Sequence, residues 1–201
     1  MRDLEVSHVI SAILLAAGES RRMGTFKQLL DFEGKTFVER CVDELLASKA
    51  NEVIVVTGHR DDDVRRTIGE REVRFAHNAE YRSGMAGSIL CGLSAVAPGT
   101  EAVLISLADQ PQITAPVIDQ VVDAYLTHRP SIVVPRYSGR KGHPIIIDLK
   151  LKDEVFKMDP AEGLRRIVRR YSGETVYVEA ATDAILTDFD YPEDYRALKR
   201  A

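Results

Sequence analysis

Short apolar runs alternate along the chain with longer stretches in which apolar positions recur every three or four residues. Two of these runs, Ile10–Leu15 and Val53–Val56, are apolar almost throughout, which is typical of strands covered on both faces in a parallel sheet. The pattern predicts seven strands, at Val9–Ala16, Glu52–Thr57, Val73–His77, Ala102–Leu107, Ser131–Pro135, Pro144–Asp148 and Thr175–Glu179.

The stretches between these strands carry helix signals. The segment Thr36–Glu39 has the spacing of a capping box, which predicts a helix that begins after its threonine. Thr114 followed by Pro116 predicts a second helix start, and Pro160–Val168 predicts a later helix with a basic face. Because strands and helices alternate, we expect an open α/β sheet in one domain, residues 1–201.

The charge balance argues against a protein that binds duplex nucleic acid. Of the 201 residues, 27 are lysine or arginine and 31 are aspartate or glutamate, which gives a net charge of −4. Duplex-binding proteins usually carry an excess of positive charge. A small anionic ligand is still compatible with this balance, because a local basic pocket can exist in a mildly acidic protein.

Three features of the sequence bear on the compartment. No apolar run reaches the ~18 residues that a membrane span needs, and the segment Met1–Val6 lacks the positive charge of a signal peptide. Cys41 and Cys91 show no Cys-x-x-Cys spacing, which favours buried thiols in a reducing compartment over a disulfide or a zinc site. We therefore expect a cytoplasmic protein without a membrane span.

The loop after the first strand is the first candidate site, because ligands of open α/β sheets bind beyond the carboxyl ends of the strands. The segment Leu15–Lys27 reads Leu-Ala-Ala-Gly-Glu-Ser-Arg-Arg-Met-Gly-Thr-Phe-Lys. Small residues at 16–18 let a ligand approach the backbone N–H groups, and Arg22 and Lys27 supply positive charge for a polyphosphate from an exposed loop. The spacing matches neither the dinucleotide fingerprint nor the P-loop, and a glycine turn with solvated basic side chains would show the same pattern.

Other polar residues follow predicted strands at the same edge of the sheet. Asp109 comes after the strand Ala102–Leu107, where it could hold Mg²⁺, a cation that needs few carboxylates and completes its shell with water and phosphate oxygens. Asn78 ends another strand, Ser88 lies in the first turn of a predicted helix, and His143 precedes a strand. Each of these residues has an alternative as a capping, turn or structural residue.

Five segments together resemble the MobA-like nucleotidyltransferases, and among these they are most similar to the molybdenum cofactor cytidylyltransferases. They occur in the family's order and span nearly the whole chain: Leu15–Lys27, Asn78–Leu93, Ala108–Pro111, Gly142–Pro144 and Asp188–Tyr195. The resemblance implies a nucleotide-diphospho-sugar-transferase-like (Rossmann-like) fold, which is a three-layer α/β/α sandwich with a mostly parallel sheet.

The resemblance also implies a reaction. Members of the family transfer a nucleotide from a magnesium–NTP complex to a phosphate monoester and release pyrophosphate. In the cytidylyl branch the nucleotide comes from CTP and the acceptor is the terminal phosphate of molybdopterin. The implied cofactor is therefore Mg²⁺, and the implied partners are CTP, a molybdopterin-type acceptor and a client molybdoenzyme.

Roles for individual residues follow from the same resemblance. Catalysis is assigned to Arg22, Lys27 and Asp109. Nucleotide binding is assigned to Leu15, Ala16, Ala17, Gly18, Arg22, Lys27, Asn78, Gly84 and Ser88. Substrate binding is assigned to His143, Gly163 and Arg165, and metal binding to Asp109 and Asp190. Of Asp188 and Asp190 we expect only one to face the metal, because side chains of an extended segment alternate in direction, and we favour Asp190.

Two departures from the family pattern leave parts of this assignment open. Gly163 and Arg165 follow the preceding aspartate at a longer spacing than in the family, and Leu164 stands where the family has alanine. The basic residues of this helix could therefore form a solvated face instead of a substrate site. Tyr191 stands where the family has threonine.

Three alternative functions remain open. The first is transfer to another acceptor, such as methylerythritol phosphate or a sugar phosphate, although the chain has Asp109-Gln-Pro and no Asp-x-x-Arg-Pro segment. The second is a GTP-using molybdenum cofactor guanylyltransferase, which typically has Leu-Ala-Gly-Gly where this chain has Leu-Ala-Ala-Gly at 15–18. The third is a non-catalytic cofactor carrier, which would not need the charged anchors present here: Arg22, Lys27, Asp109 and Asp190.

Overall fold

A central sheet organises the computed structural model, which describes residues 9–198. Residues 1–8 and 199–201 lie outside the described part. The segment Met1–Val6, which lacks the charge of a signal peptide, falls among them. The strands are β1 (Val9–Leu15), β2 (Asp31–Phe32), β3 (Lys35–Thr36), β4 (Glu52–Thr57), β5 (Arg74–His77), β6 (Thr100–Leu107), β7 (Ile132–Tyr137), β8 (Arg140–Lys141), β9 (Ile145–Asp148) and β10 (Thr175–Glu179).

The strand order in this sheet is β10-β7-β9-β6-β1-β4-β5, with β8 beside β7. The sheet is mostly parallel, and only β9 and β8 run antiparallel to their neighbours. All seven strands predicted from the apolar runs are confirmed, with ends that differ by two residues or fewer. The sequence did not predict β2, β3 or β8, because two residues are too few to show an alternation.

The helices are α1 (Phe37–Leu46), α2 (Asp61–Ile68), α3 (Met85–Ala95), α4 (Ala115–His128), α5 (Lys152–Phe156), α6 (Leu164–Arg170) and α7 (Pro192–Leu198). The capping box of α1 is confirmed, since Thr36 accepts from the Glu39 N–H and the Glu39 carboxylate accepts from the Thr36 N–H. Helix α4 begins after Thr114 as predicted, but the Thr114 side chain makes no capping hydrogen bond. Helix α6 begins later than predicted, because residues 159–163 form a turn closed by a Gly163 N–H to Asp159 C=O bond.

Two apolar clusters cover the two faces of the sheet. Side chains from α1, α2 and α4 pack in one cluster, and side chains from α3, α5 and α6 pack in the other. Along β1, Ala12 and Leu14 belong to the first cluster and Ile13 to the second. This is the three-layer α/β/α sandwich that the resemblance implied, and burial on both faces explains why β1 is apolar at every position except Ser11.

The described residues also bear on the expectations about compartment. Cys41 and Cys91 are both free thiols, the first buried and the second only partly buried. Between residues 9 and 198 the chain contains no helix that is both long enough and apolar enough to cross a membrane.

The parallel strands determine where a ligand can bind. Strands β1 and β6 are parallel neighbours whose last residues, Leu15 and Leu107, lie opposite each other. Strand β4 runs beside β1 in the same direction. The loops after β1, β4 and β6 therefore meet at one edge of the sheet, which is where open α/β sheets bind ligands.

Candidate active site

A cavity of about 410 Å³ opens at this edge of the sheet. Its walls come from the loop after β1, the start of α3, the turn after β6 and the segment before α7. The lining residues are Leu15, Ala17, Gly18, Ser20, Arg21, Arg22, Lys27, Gln28, Tyr81, Gly84, Met85, Ser88, Leu107, Ala108, Asp109, Asp188 and Asp190. The cavity thus contains the main acidic and basic residues that the sequence singled out.

The loop after β1 is held in place by a buried glutamine. The Gln28 side-chain amide donates to the carbonyls of Ala16 and Gly18, at 3.3 and 3.0 Å, and accepts from the Ser20 hydroxyl at 3.0 Å. The Ser20 hydroxyl also accepts from the Lys27 N–H at 3.1 Å. These bonds hold the loop in place. Gln28 and Ser20 were assigned no role of their own, because in the sequence they are only polar residues beside Lys27 and within the loop.

A cluster of paired charges lies at the floor of the cavity. The Lys27 ammonium donates to Asp109 Oδ2 at 2.6 Å and to Asp190 Oδ1 at 3.0 Å. Arg22 Nη1 donates to Asp190 Oδ2 at 2.8 Å. Only 14% of the Lys27 side chain is exposed, compared with 66% for Arg22. The expectation that Lys27 extends from an exposed loop is therefore wrong, because the two carboxylates draw its side chain inward.

These pairings shift the protonation equilibria in opposite directions. Burial alone would lower the pKa of Lys27, but the carboxylates of Asp109 and Asp190 raise that pKa above its usual value. Burial works to raise the pKa of Asp190, but Lys27 and Arg22 hold it below its usual value. Burial, followed by the negative charges of Asp109 and Asp190, raises the pKa of Asp188. Lys27 and Asp190 therefore both stay charged at neutral pH.

Both Asp188 and Asp190 line the cavity, so the expected alternation does not place their side chains on opposite sides, and the choice of Asp190 as the metal ligand stays a prediction. Phe189, between them, is buried and packs on Phe37 with ring centroids 5.1 Å apart. Alternation in an extended segment places residues two apart on the same side, which is why the two carboxylates flank a buried ring. The Phe189 N–H also donates to the Asp109 carbonyl at 3.3 Å, which keeps this segment beside Asp109.

The carboxylates at this floor fit a divalent cation of the Mg²⁺ type. Asp109 Oδ1 is buried and has no hydrogen-bond partner, so one oxygen is available to a ligand. Carboxylate oxygens are the hard donors that Mg²⁺ prefers, and it usually takes one or two of them together with water and phosphate oxygens. Across residues 9–198, no group of three or more His, Cys, Asp or Glu side chains is arranged to hold a metal ion. A divalent cation bound here would therefore take oxygens from Asp109 and Asp190 and complete its coordination shell with oxygens of the substrate.

The nine residues assigned to the nucleotide divide into two groups. Seven of them line the cavity: Leu15, Ala17, Gly18, Arg22, Lys27, Gly84 and Ser88. The other two, Ala16 and Asn78, lie behind its wall. The Ala16 N–H donates to the Val56 carbonyl at 2.9 Å, and the Asn78 side-chain amide donates to the Ser88 hydroxyl at 3.1 Å. Asn78 therefore orients Ser88 at the start of α3.

The wall of the cavity also includes an aromatic residue, Tyr81, to which no role was assigned from the sequence. Tyr81 lines the cavity, and a Cβ placed on Gly58 would lie 2.6 Å from the Tyr81 Cβ and 3.0 Å from the Ala17 Cβ. Glycine at 58 therefore lets Tyr81 approach Ala17 closely. His59 follows this glycine, donates its N–H to the Ala17 carbonyl and packs against the Tyr81 ring.

The three residues assigned to the acceptor substrate lie outside the lining of the cavity. His143 follows β8 and is held by a 3.1 Å hydrogen bond from its N–H to the Ile185 carbonyl. Burial lowers the pKa of His143, Asp109 acts to raise it, and Arg165 adds to the lowering. His143 is therefore neutral at pH 7 and lies within electrostatic reach of Asp109. Arg165 and Gly163 lie at the start of α6, where Arg165 is exposed.

Gly142→Ala should lower the free energy of unfolding by about 1–3 kcal/mol or more. A Cβ at this position would lie 2.1 Å from the Ile185 carbonyl oxygen, so the backbone beside His143 would have to move. Gly173→Ala is the matched control, because a Cβ added at residue 173 would meet no other atom within 4 Å. Urea denaturation of both variants checks this, and equal stabilities would contradict the close approach.

Comparison with known proteins identifies a family. The sequence model of the MobA-like NTP transferase domain matches residues 12–176. A nicotine blue oxidoreductase from Paenarthrobacter nicotinovorans is 29% identical over 200 residues, which cover 94% of this chain and 96% of the relative. A molybdenum cofactor cytidylyltransferase from Escherichia coli K12 is 25% identical over 191 residues, with 94% and 95% covered.

Solved structures show the same fold. The crystal structure of Rv0371c from Mycobacterium tuberculosis H37Rv has a TM-score of 0.82 at 25% identity and covers 96% of this chain and 99% of its own. Its complex with manganese has a TM-score of 0.79 at 23% identity, with 96% and 99% covered. A nucleotidyl transferase from Methanothermobacter has a TM-score of 0.83 at 23% identity, with 96% of both chains covered.

Proposed function

Because the chain belongs to the MobA-like NTP transferase family and is a nucleotidyltransferase, we propose that it transfers CMP from CTP to the terminal phosphate of molybdopterin. The observation that carries the proposal is the charge cluster of Lys27, Asp109 and Asp190 beneath a loop with small residues. Such a cavity offers both cations and metal-binding carboxylates to a triphosphate. The cytidylyltransferase among the relatives and the Leu-Ala-Ala-Gly sequence at 15–18 support CTP and molybdopterin as substrates.

The chemistry asks for charge neutralisation and positioning. An oxygen of the acceptor phosphate attacks the α-phosphorus of CTP, the bond to the bridging oxygen breaks, and pyrophosphate leaves with the electron pair. A phosphate monoester is already largely ionised near pH 7, so no side-chain base is needed. Arg22 and Lys27 bind the phosphates, and the N–H groups of the loop orient them. When bound by Asp109 and Asp190, Mg²⁺ supplies further neutralisation of the phosphate oxygens.

We assign the acceptor to the region beside the cavity between His143, which follows β8, and the start of α6. His143 approaches Asp109 there, and Arg165 adds positive charge near it. In this proposal the neutral His143 contacts the pterin part of the acceptor and does not take part in proton transfer, while Gly163 and Arg165 bind its periphery. The enzyme acts as one domain in the cytoplasm, and its product passes to a client molybdoenzyme.

A redox function is the second candidate, because the relative at 29% identity is named nicotine blue oxidoreductase. The two functions differ in their products. A nucleotidyltransferase releases pyrophosphate only when it is given a nucleoside triphosphate, whereas an oxidoreductase changes the absorbance of a redox-active dye and releases none.

The decisive experiment measures pyrophosphate release from each of the four NTPs, with and without molybdopterin, in the presence of Mg²⁺ and then of EDTA. We expect release with CTP that depends on both molybdopterin and the metal. Parallel reactions contain methylerythritol phosphate or a sugar phosphate instead of molybdopterin, and release with one of these but not with molybdopterin would identify that compound as the acceptor. No release from any NTP under these conditions would overturn the proposal in favour of a redox enzyme or a carrier.

Turnover with CTP should exceed turnover with GTP by about 10–200-fold in kcat/KM, which corresponds to about 1–3 kcal/mol. The Ala17 methyl narrows the cavity beside Tyr81 and leaves less room for a purine. Ala17→Gly should therefore reduce the preference, chiefly by raising activity with GTP. Equal or better turnover of the unchanged protein with GTP would remove the cytidylyl assignment and leave the transferase assignment intact.

A further inference from the structure

The Lys27 ammonium joins two carboxylates that come from distant parts of the chain. It lies 2.6 Å from Asp109 Oδ2 and 3.0 Å from Asp190 Oδ1. One carboxylate follows β6 and the other precedes α7. These are the two carboxylates that the proposed function assigns to the metal, and this inference rests on that proposal. In the ligand-free protein, a side-chain cation therefore lies where the metal is expected to bind.

The ammonium and a divalent cation cannot both occupy this position. Mg²⁺ binds oxygen at about 2.0–2.1 Å, so an ion held by Asp109 Oδ2 and Asp190 Oδ1 would lie in van der Waals contact with an ammonium at hydrogen-bond distance from the same two oxygens. Their mutual repulsion would be strong in a region where Lys27 and Asp109 are mostly shielded from water. Metal binding at these two oxygens therefore requires Lys27 to leave.

The charges near this position show what could draw Lys27 away. Lys27 and Arg22 pair with Asp109 and Asp190, so the negative charges of these two carboxylates are already offset in the ligand-free cluster. A triphosphate in the cavity would offer Lys27 an alternative partner of higher negative charge, within reach of its flexible four-carbon stem. Removal of the ammonium would then leave both carboxylates free for the metal.

We propose that Lys27 blocks the metal site of the nucleotide-free protein and that nucleotide binding opens it. Lys27 thus has two successive sets of partners, first the metal carboxylates and then the phosphates. Thermodynamic linkage makes this coupling reciprocal. If bound nucleotide raises the affinity for the metal by some factor, bound metal raises the affinity for the nucleotide by the same factor. The metal and the nucleotide consequently bind together, and the protein alone does not retain the metal.

The test measures Mn²⁺ binding to the nucleotide-free protein by electron paramagnetic resonance. Lys27→Met keeps the length of the side chain and removes its charge, and it should bind Mn²⁺ at least about tenfold more tightly than the unchanged protein. Arg21→Met is the matched control, because Arg21 also lines the cavity but pairs with Glu19. It should change Mn²⁺ affinity by less than about threefold. Adding Asp190→Asn to Lys27→Met should abolish the gain.

Equal or weaker Mn²⁺ binding by Lys27→Met would overturn the proposal, as would an equal gain in Arg21→Met. If Lys27→Met does not fold, NMR of the lysine ammonium groups in the unchanged protein gives the same answer. The Lys27 signal should stay unchanged with Mg²⁺ alone and shift when CTP is added at the same concentration of Mg²⁺, and an equal shift with Mg²⁺ alone would overturn the proposal. Failure of the proposed function is a separate result, namely no pyrophosphate release from any NTP while the gain in Mn²⁺ affinity persists.

Discussion

Asp109→Asn should lower the rate of pyrophosphate release by at least about 1,000-fold, and Asp190→Asn should lower it to a similar degree. Both carboxylates line the cavity and share the Lys27 ammonium. If they hold the same Mg²⁺, the loss of either one removes the ion from its working position. The double variant should therefore lose little more than each single variant, since groups that act as a unit are not additive.

The alternative is that these residues only cap turns. Independent capping aspartates would show additive losses of about 0.5–2 kcal/mol each in the free energy of unfolding, with little effect on rate. Asp43→Asn is the matched control, because Asp43 forms ion pairs with Lys35 and Arg71 outside the cavity. Titration of Mg²⁺ against activity completes the test. An unchanged Mg²⁺ requirement in Asp190→Asn, with a raised one in Asp188→Asn, would identify Asp188 as the metal ligand.

Lys27→Ala should lower turnover by about 100–1,000-fold, the loss that commonly follows removal of one preorganised charge from a reacting centre. Its side chain is also mostly buried between two carboxylates. Its removal should therefore destabilise the metal-free protein by about 1–3 kcal/mol, because the carboxylates lose a charged partner. This exceeds the ~0.5 kcal/mol expected of a change in an exposed loop. Steady-state kinetics and thermal melting measure the two effects.

Lys35→Ala serves as the control for Lys27→Ala. Lys35 also pairs with an aspartate, Asp43, but lies outside the cavity and is about half exposed. It should change neither turnover nor melting appreciably. Near-normal activity in a folded Lys27→Ala protein would show that Lys27 is not part of the catalytic site.

The sequence predicted the sheet well because both faces of the sheet are covered. Strands such as Glu52–Thr57 and Thr175–Glu179 have the ends predicted from their apolar runs, and the capping box at Thr36 forms as its spacing indicated. Helix α6 was less predictable, because the turn before it depends on a backbone hydrogen bond and not on an apolar pattern.

The site was predicted as a set of residues but not as a set of contacts. The candidate charges at Arg22, Lys27, Asp109 and Asp190 do gather in one cavity. Their pairing depends on side-chain directions across segments far apart in the chain, which a single sequence does not encode locally. The role of Gln28 escaped prediction for the same reason, since its partners are backbone carbonyls.

The contact between Lys27 and Asp190 joins residues 163 positions apart. Synthesis begins at the N-terminus, and domains generally fold as units while the chain emerges. A ribosome that has just finished β10 has already made the sheet, the loop and Asp109, but it has made neither Asp190 nor the Phe189 ring that seats it. A nascent chain therefore lacks the contact between Lys27 and Asp190 until residue 190 has been made, and under the proposed function a fragment that ends at β10 would be inert toward the cell's nucleotides.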